Sequence, residues 1–326
     1  MAAGRGPLAR GAFAVGLAHV TFRRVVASAR AESGNVSGLL YMLGCVLVLS
    51  ASAWAAHWER DDAGRMVAIP DHVQRIVCLA PSLTDIAYAL GAQEEIVGIT
   101  DYTEYPPQAQ REKPSVGALV NPSLEKIVAL HPDVVLALPA FNGAETIAGL
   151  QRLGVPTFLF TTTNLSDIYR NIADAGRVLG RERQATALIA GLRSREKKVS
   201  KHAAGKSRPS VLVAVAIDPL ITAGRSAFVT EMITVAGARS ITEDLPQDWL
   251  QVNVEAVLAR KPDYILIIKG GPVALRDMQQ HAGWKSLEAV QKGRIIVIDD
   301  RIQIPSPIAF DGLEALSAQI QGMRPR

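Results

Sequence analysis

One fifteen-residue pattern occurs twice in the chain and constrains the fold more than any other feature. Residues 124–138 read LEKIVALHPDVVLAL, and residues 254–268 read VEAVLARKPDYILII, an offset of 130 held without a gap. Glu125/Glu255, Ala129/Ala259, Pro132/Pro262, Asp133/Asp263 and Leu136/Leu266 are identical. Each copy reads as a short helix, a proline-marked turn and a buried strand, so the chain carries two related substructures.

The surrounding sequence extends this into two alternating α/β layers. Strand-like runs at 75–79, 96–100, 133–138 and 155–160 are separated by helical periodicity at 82–90, 124–130 and 144–153. Ser82 reads as an N-cap with Asp85 three residues on, a capping-box spacing. A proline-rich loop covers 102–122. The alternation restarts at 211–217 and continues through helices at 227–236, 254–260, 287–291 and 312–320 and strands at 264–268 and 295–298. Between the halves, 164–203 lacks proline and has helical spacing of apolar residues. A continuous helix there would run ~60 Å, although Gly176, Gly180 and Gly191 weaken its propensity. The expected architecture is α/β: two Rossmann-like lobes with parallel-sheet cores, joined by a single long backbone helix, with a ligand cleft between them. The expected divisions are a leader at 1–55, an N-terminal lobe at 56–163, a linking helix at 164–204 and a C-terminal lobe at 205–326.

The formal charge of +4 resides in the leader, where five arginines face one glutamate; beyond residue 55 acidic and basic side chains balance. This excludes a basic nucleic-acid-binding body. Residues 38–56 form an uncharged apolar run ending in small residues, and Ala53-Trp54-Ala55 fits a signal-peptidase site. A cleaved export signal and a periplasmic location are expected; a retained anchor or a lipid anchor at Cys45 are the alternatives. Cys78 lies in an apolar run and reads as a buried strand thiol.

Enzyme signatures are weak. Ser82 sits between a strand and a helix without the flanking glycines of a nucleophile elbow, and no phosphate-binding glycine loop is present. The histidines beyond the leader (His57, His72, His131, His202 and His281) lack ligand spacing. No catalytic, metal or cofactor site is expected. Ligand contacts belong on the loops beyond the strand C-termini, which carry Pro81, Ser82, Tyr102, Tyr105, Phe141, Trp249, Gly270 and Gly271. The aromatic members suit a large flat ligand. Glu125 and Glu255 follow potential N-caps, Ser123 and Asn253, and present the same acid on both lobes, a pattern suited to a two-fold symmetric basic partner.

These residues, with RIVCLAPSLTDIAYALGA, DYTEYPPQAQ, DPLITAG, DWLQVNVEAVLARKPD and KGGP, resemble the periplasmic substrate-binding proteins of ABC importers for cobalamin, haem and ferric siderophores. The resemblance covers about residues 74–320 and is strongest to the cobalamin-binding members. It implies that a monomer captures cobalamin and docks an inner-membrane permease dimer through Glu125 and Glu255, with Tyr102 and Trp249 facing the ligand. The chain departs from the family pattern at Leu119 and in the aliphatic 300–308 loop, where aromatic and arginine residues are expected. The alternatives are haem, with Tyr102 or Tyr105 as a phenolate ligand, a siderophore held by Arg225 and Arg301, and, in a different class, an exported serine hydrolase.

Overall fold

The computed structural model describes residues 56–322 apart from Pro272, Ala274 and Ala282. The signal-peptide, anchor and Cys45 readings lie outside the described residues. From Ala56 onward the chain forms one contact unit.

It opens with an antiparallel hairpin, β1 (Ala56–Arg60) and β2 (Met66–Pro70). A four-stranded sheet follows, with β3 (Ile76–Cys78), α1 (Pro81–Ala89), β4 (Ile96–Gly98), α2 (Pro107–Glu112), α3 (Leu124–Ala129), β5 (Val134–Ala137), α4 (Pro139–Asn142), α5 (Ala144–Arg152) and β6 (Thr157–Leu159). Its strands are parallel in the order β4-β3-β5-β6. Residues of β3, β5 and β6 are buried throughout, as continuous apolar runs in a sheet covered on both faces require.

The start of α1 corrects one expectation. Its N-cap is Ala80, which makes no side-chain cap, and Pro81 stands in the first turn. Proline is pre-organised for that position and needs no N–H partner, so the helix begins ahead of Ser82. Ser82 therefore lies inside the helix, and Asp85 is free of capping duty.

The linking segment is two helices where the sequence suggested one. α6 (Leu165–Val178) carries a capping box of Asn164 and Asp167. α7 (Glu182–Ala203) follows after a break in which Gly180 takes φ 63°. That left-handed conformation is open to glycine and ends the first helix. α7 is 22 residues, about 33 Å long.

The second half contains β7 (Ser210–Ala214), β8 (Ala216–Ile217), β9 (Leu220–Ala223), α8 (Phe228–Ala236), β10 (Arg239–Ser240), β11 (Trp249–Gln251), α9 (Val254–Arg260), β12 (Tyr264–Ile268), α10 (Leu275–Gln280), α11 (Glu288–Gln291), β13 (Ile295–Ile298) and α12 (Ala309–Gly322). Its main sheet is parallel in the order β10-β7-β12-β13, the same crossover pattern as the first. A small antiparallel sheet, β11-β9-β8, lies beside it; its strands are too short to carry a readable period.

The repeat does the same work in both sheets. Ser123 accepts from Lys126 N at 3.2 Å and Asn253 from Ala256 N at 2.8 Å, starting α3 and α9. His131 and Lys261, the equivalent residues, leave those helices at φ 45° and 46°. Asp133 Oδ2 then accepts from Gln74 N and Arg75 N at 2.8 and 2.9 Å, just ahead of β3. Asp263 Oδ2 accepts from Ser210 N and Oγ at 2.7 Å, at the start of β7. Each aspartate fastens the incoming strand to the central strand and fixes register, with Ile76 opposite Val134 and Val211 opposite Tyr264.

A single buried cluster runs from β3 and α1 (Ile76, Leu83) through α6 and α7 (Ile172, Leu192) into α8 and α12 (Ile233, Phe310, Leu313). Separate clusters lie on the remaining face of each sheet, around Val135 and Leu150 and around Ile265 and Trp284. The two lobes thus share an apolar core as well as a connecting segment.

Candidate functional site

In a parallel sheet, ligand-facing loops leave the carboxyl ends of the strands. Pro81 and Ser82 follow β3, Tyr102 and Tyr105 follow β4, Phe141 follows β5, Gly270 and Gly271 follow β12, and Asp300 follows β13. Two hydrogen bonds bring these ends face to face. Tyr105 Oη donates to Asp300 at 3.3 Å, joining loops after the edge strands β4 and β13. Leu165 N, beyond edge strand β6, donates to Glu231 Oε2 in the first turn of α8 at 2.6 Å.

Among the described residues, four aromatic side chains are largely exposed: Trp58, Tyr102 (64%), Phe141 (49%) and Trp249 (42%). Three of the four are residues singled out on the cleft loops. Exposed aromatic side chains on these segments are candidates for ligand contact.

The neighbours of these side chains are tightly held. Beside Phe141, the buried Asn142 accepts from Leu138 N at 2.8 Å and donates to Leu79 O and Leu119 O at 2.8 and 2.9 Å. One amide thus ties together three loops at this end of the sheet. The sequence reading missed it; Asn142 closes the short helix α4, five residues beyond the end of β5. Leu119, the aliphatic departure, packs partly buried against the core. Trp249 opens β11 opposite Ala223. Next to it Gly224 N donates to Asp248 O at 2.7 Å, and a Cβ at Gly224 would lie 2.3 Å from Gln247 O. Only glycine permits the approach that seats this loop.

Other candidates are placed less openly. Ser82 is buried, at 5% exposure, and Pro81 is half-buried. Gly270 and Gly271 are exposed in the turn after β12. Glu125 and Glu255 are exposed in the first turns of α3 and α9. Cys78 is buried, and that burial pushes its thiol up to about 12. No cluster of three or more metal-ligating side chains occurs among the described residues.

Charged side chains near the cleft find partners within the second half of the chain. Arg301 donates to both oxygens of Asp299 and to Asp311 at 2.7–3.0 Å, and its guanidinium holds the Asp299 carboxyl down at about 2. Arg225 donates to Glu243 O and Asp244 O. Burial and the adjacent Asp300 carboxylate push the Tyr105 phenol up. An open hollow of ≈ 550 Å³ borders the Leu165–Glu231 contact, lined by Arg225, Thr230, Glu231, Thr234, Glu243 and Asp244.

Two equally ordered parallel sheets, joined by a helical segment and touching through the loops after β4 and β13, define a two-lobed α/β fold. The chain belongs to the periplasmic binding protein family, of the ABC-importer type, whose profile matches residues 76–302. An uncharacterised ABC transporter substrate-binding lipoprotein of Bacillus subtilis is 30% identical over 269 residues, 80% of this chain and 84% of the relative. A vitamin B12-binding protein of Vibrio cholerae is 27% identical over 259 residues, 78% and 92% of the two chains. Among solved structures, the periplasmic vitamin B12-binding protein of Vibrio cholerae gives a TM-score of 0.67 at 26% identity, covering 77% of this chain and 99% of that one. A periplasmic haem-binding protein of Roseiflexus sp. RS-1 gives 0.70 at 26%, covering 75% and 97%. No helix among the described residues is long and apolar enough to cross a membrane.

Proposed function

We propose that this protein is an exported, non-enzymatic receptor that takes a corrinoid into the cleft between its lobes and delivers it to an ABC permease. The observation that carries this reading is that Tyr102 in the loop after β4, Phe141 in α4 just after β5 and Trp249 at the start of β11 are all exposed. Flat aromatic faces suit the broad, largely uncharged corrin ring. The vitamin B12-binding relatives support the same choice. Binding of this kind needs no resident cofactor and no protein–metal bond.

The competing ligands find less here. Arg301 is satisfied by carboxylates of its own lobe, which leaves it a poor anchor for an anionic siderophore. Tyr105 donates to Asp300 and is held in its phenol form, which opposes a role as a haem phenolate. Tyr102 is the remaining phenol for that reading. Burial of Ser82 removes the hydrolase nucleophile from reach of a substrate.

Within this reading, 56–163 and 205–326 are the lobes, 164–204 joins them, the export signal lies within 1–55, and Glu125 and Glu255 meet the permease. Isothermal titration of the purified protein with cyanocobalamin tests the ligand. One-to-one binding at micromolar or tighter affinity is expected. Absence of heat with cyanocobalamin, together with a tyrosinate charge-transfer band on haem addition that Tyr102→Phe abolishes, would transfer the assignment to haem.

A further inference from the structure

Asp85 is an anomaly in the shared core. It lies on α1, in the layer of the first sheet, and is 7% exposed. Its Oδ2 accepts from Ser306 Oγ at 2.8 Å and from Ile308 N at 2.9 Å, both on the loop that follows β13 in the second sheet. Burying a carboxylate is costly without strong partners. Here the partners come from the other lobe, on the loop that begins at the cleft with Asp300 and ends at α12.

The remaining charge near Asp85 is Asp311 on α12, itself paired with Arg195 of α7 and Arg301. Burial is the main cause that raises the Asp85 carboxyl, and Asp311 adds to it. The Tyr105–Asp300 contact lies at the other end of the same loop. The loop is therefore held to the first lobe at two points, one at the cleft mouth and one in the core.

We infer that Asp85 is a positioning residue for ligand retention: by pinning the 304–308 loop of the second lobe to α1 of the first, it fixes the aperture of the cleft. The inference rests on the receptor reading for its ligand readout, but its geometric part stands without a ligand. Loss of the bonds frees the loop and lets the lobes part, so bound ligand leaves faster. The pinned state holds the Asp85 proton more tightly than an opened state in which water reaches the carboxyl. Acidification through that raised pKa therefore favours the pinned state.

The test uses spin labels on cysteines placed at Gln151 of α5 and at Lys285, both exposed, in a Cys45→Ser background. Cys78 stays unlabelled because it is buried and its thiol is held at about 12. In the ligand-free protein, Asp85→Ala is expected to lengthen and broaden the inter-label distance, and Asp85→Asn to keep it narrow. Ser306→Ala, which removes one of the two donors, is expected to give a smaller change in the same direction. In cyanocobalamin release, Asp85→Ala is expected to speed dissociation by roughly tenfold or more, from the strength of hydrogen bonds to a charged acceptor. Asp85→Asn is expected to restore slow release and to abolish the slowing of release on acidification. Unchanged distances in both Asp85→Ala and Ser306→Ala would overturn the inference. Failure of cyanocobalamin to bind the unsubstituted protein would overturn the ligand reading while leaving the distance measurement decisive for Asp85.

Discussion

Trp249 sits on a short strand whose position depends on the bare backbone of Gly224, and its indole face is left open. Covering an aromatic face with ligand contributes about 1.5–3 kcal/mol. Trp249→Ala is expected to weaken cyanocobalamin binding roughly ten- to hundredfold, measured by calorimetry, with the ligand-induced fluorescence change of the protein reduced. Arg301 has a different role. It keeps the Asp299 carboxyl at about 2, so the pair's contribution is complete above the ordinary carboxylate range and disappears as pH falls through about 2. Arg301→Gln is expected to cost about 1 kcal/mol at neutral pH, a modest value for a partly exposed pair. Urea unfolding of both proteins across pH should show that difference closing as pH falls toward 2.

At the scale of elements, helix ends follow local chemistry. Ser123, Asn253 and Asn164 cap the helices they precede, and Gly180 ends α6. Nothing lies within 4 Å of a Cβ built on Gly180, so a side chain there would meet strain in the backbone alone. Gly180→Ala is expected to cost about 1 kcal/mol and to lower Tm by roughly 2–4 °C in a thermal melt. Ser82 shows where local reading fails. Serine with an acid three residues on is a good capping signal, but Pro81 starts α1 earlier, and Asp85 finds its partners more than two hundred residues away. The β11-β9-β8 sheet was equally illegible, because two- to four-residue strands are held by their neighbours' hydrogen bonds and show no period of their own.

In the whole molecule, the core common to both lobes and the Asp85 bonds to Ser306 and Ile308 together hold the halves against each other. The repeat places Glu125 and Glu255 at the same helical position in each half, exposed and in the first turn. Replacing both with alanine is expected to abolish stimulation of permease ATPase activity in reconstituted vesicles while cyanocobalamin affinity is retained. A loss of affinity in the double variant would instead put these residues in the ligand site.

The residues alone determined the two α/β layers, the duplicated helix-turn-strand and the balanced charge of the body. The charge is a matter of composition, and the layers and the repeat follow from periodicity, capping and turn chemistry, which act over a few residues and leave a mark in any one chain. Tertiary structure decided the rest: that Tyr102, Phe141 and Trp249 stay bare while Ser82 is buried, that Arg301 is consumed by Asp299 and Asp311, and that Asp85 crosses to Ser306 and Ile308. Burial and pairing are properties of atoms brought together from distant positions, and a side chain's type does not say which distant group will reach it.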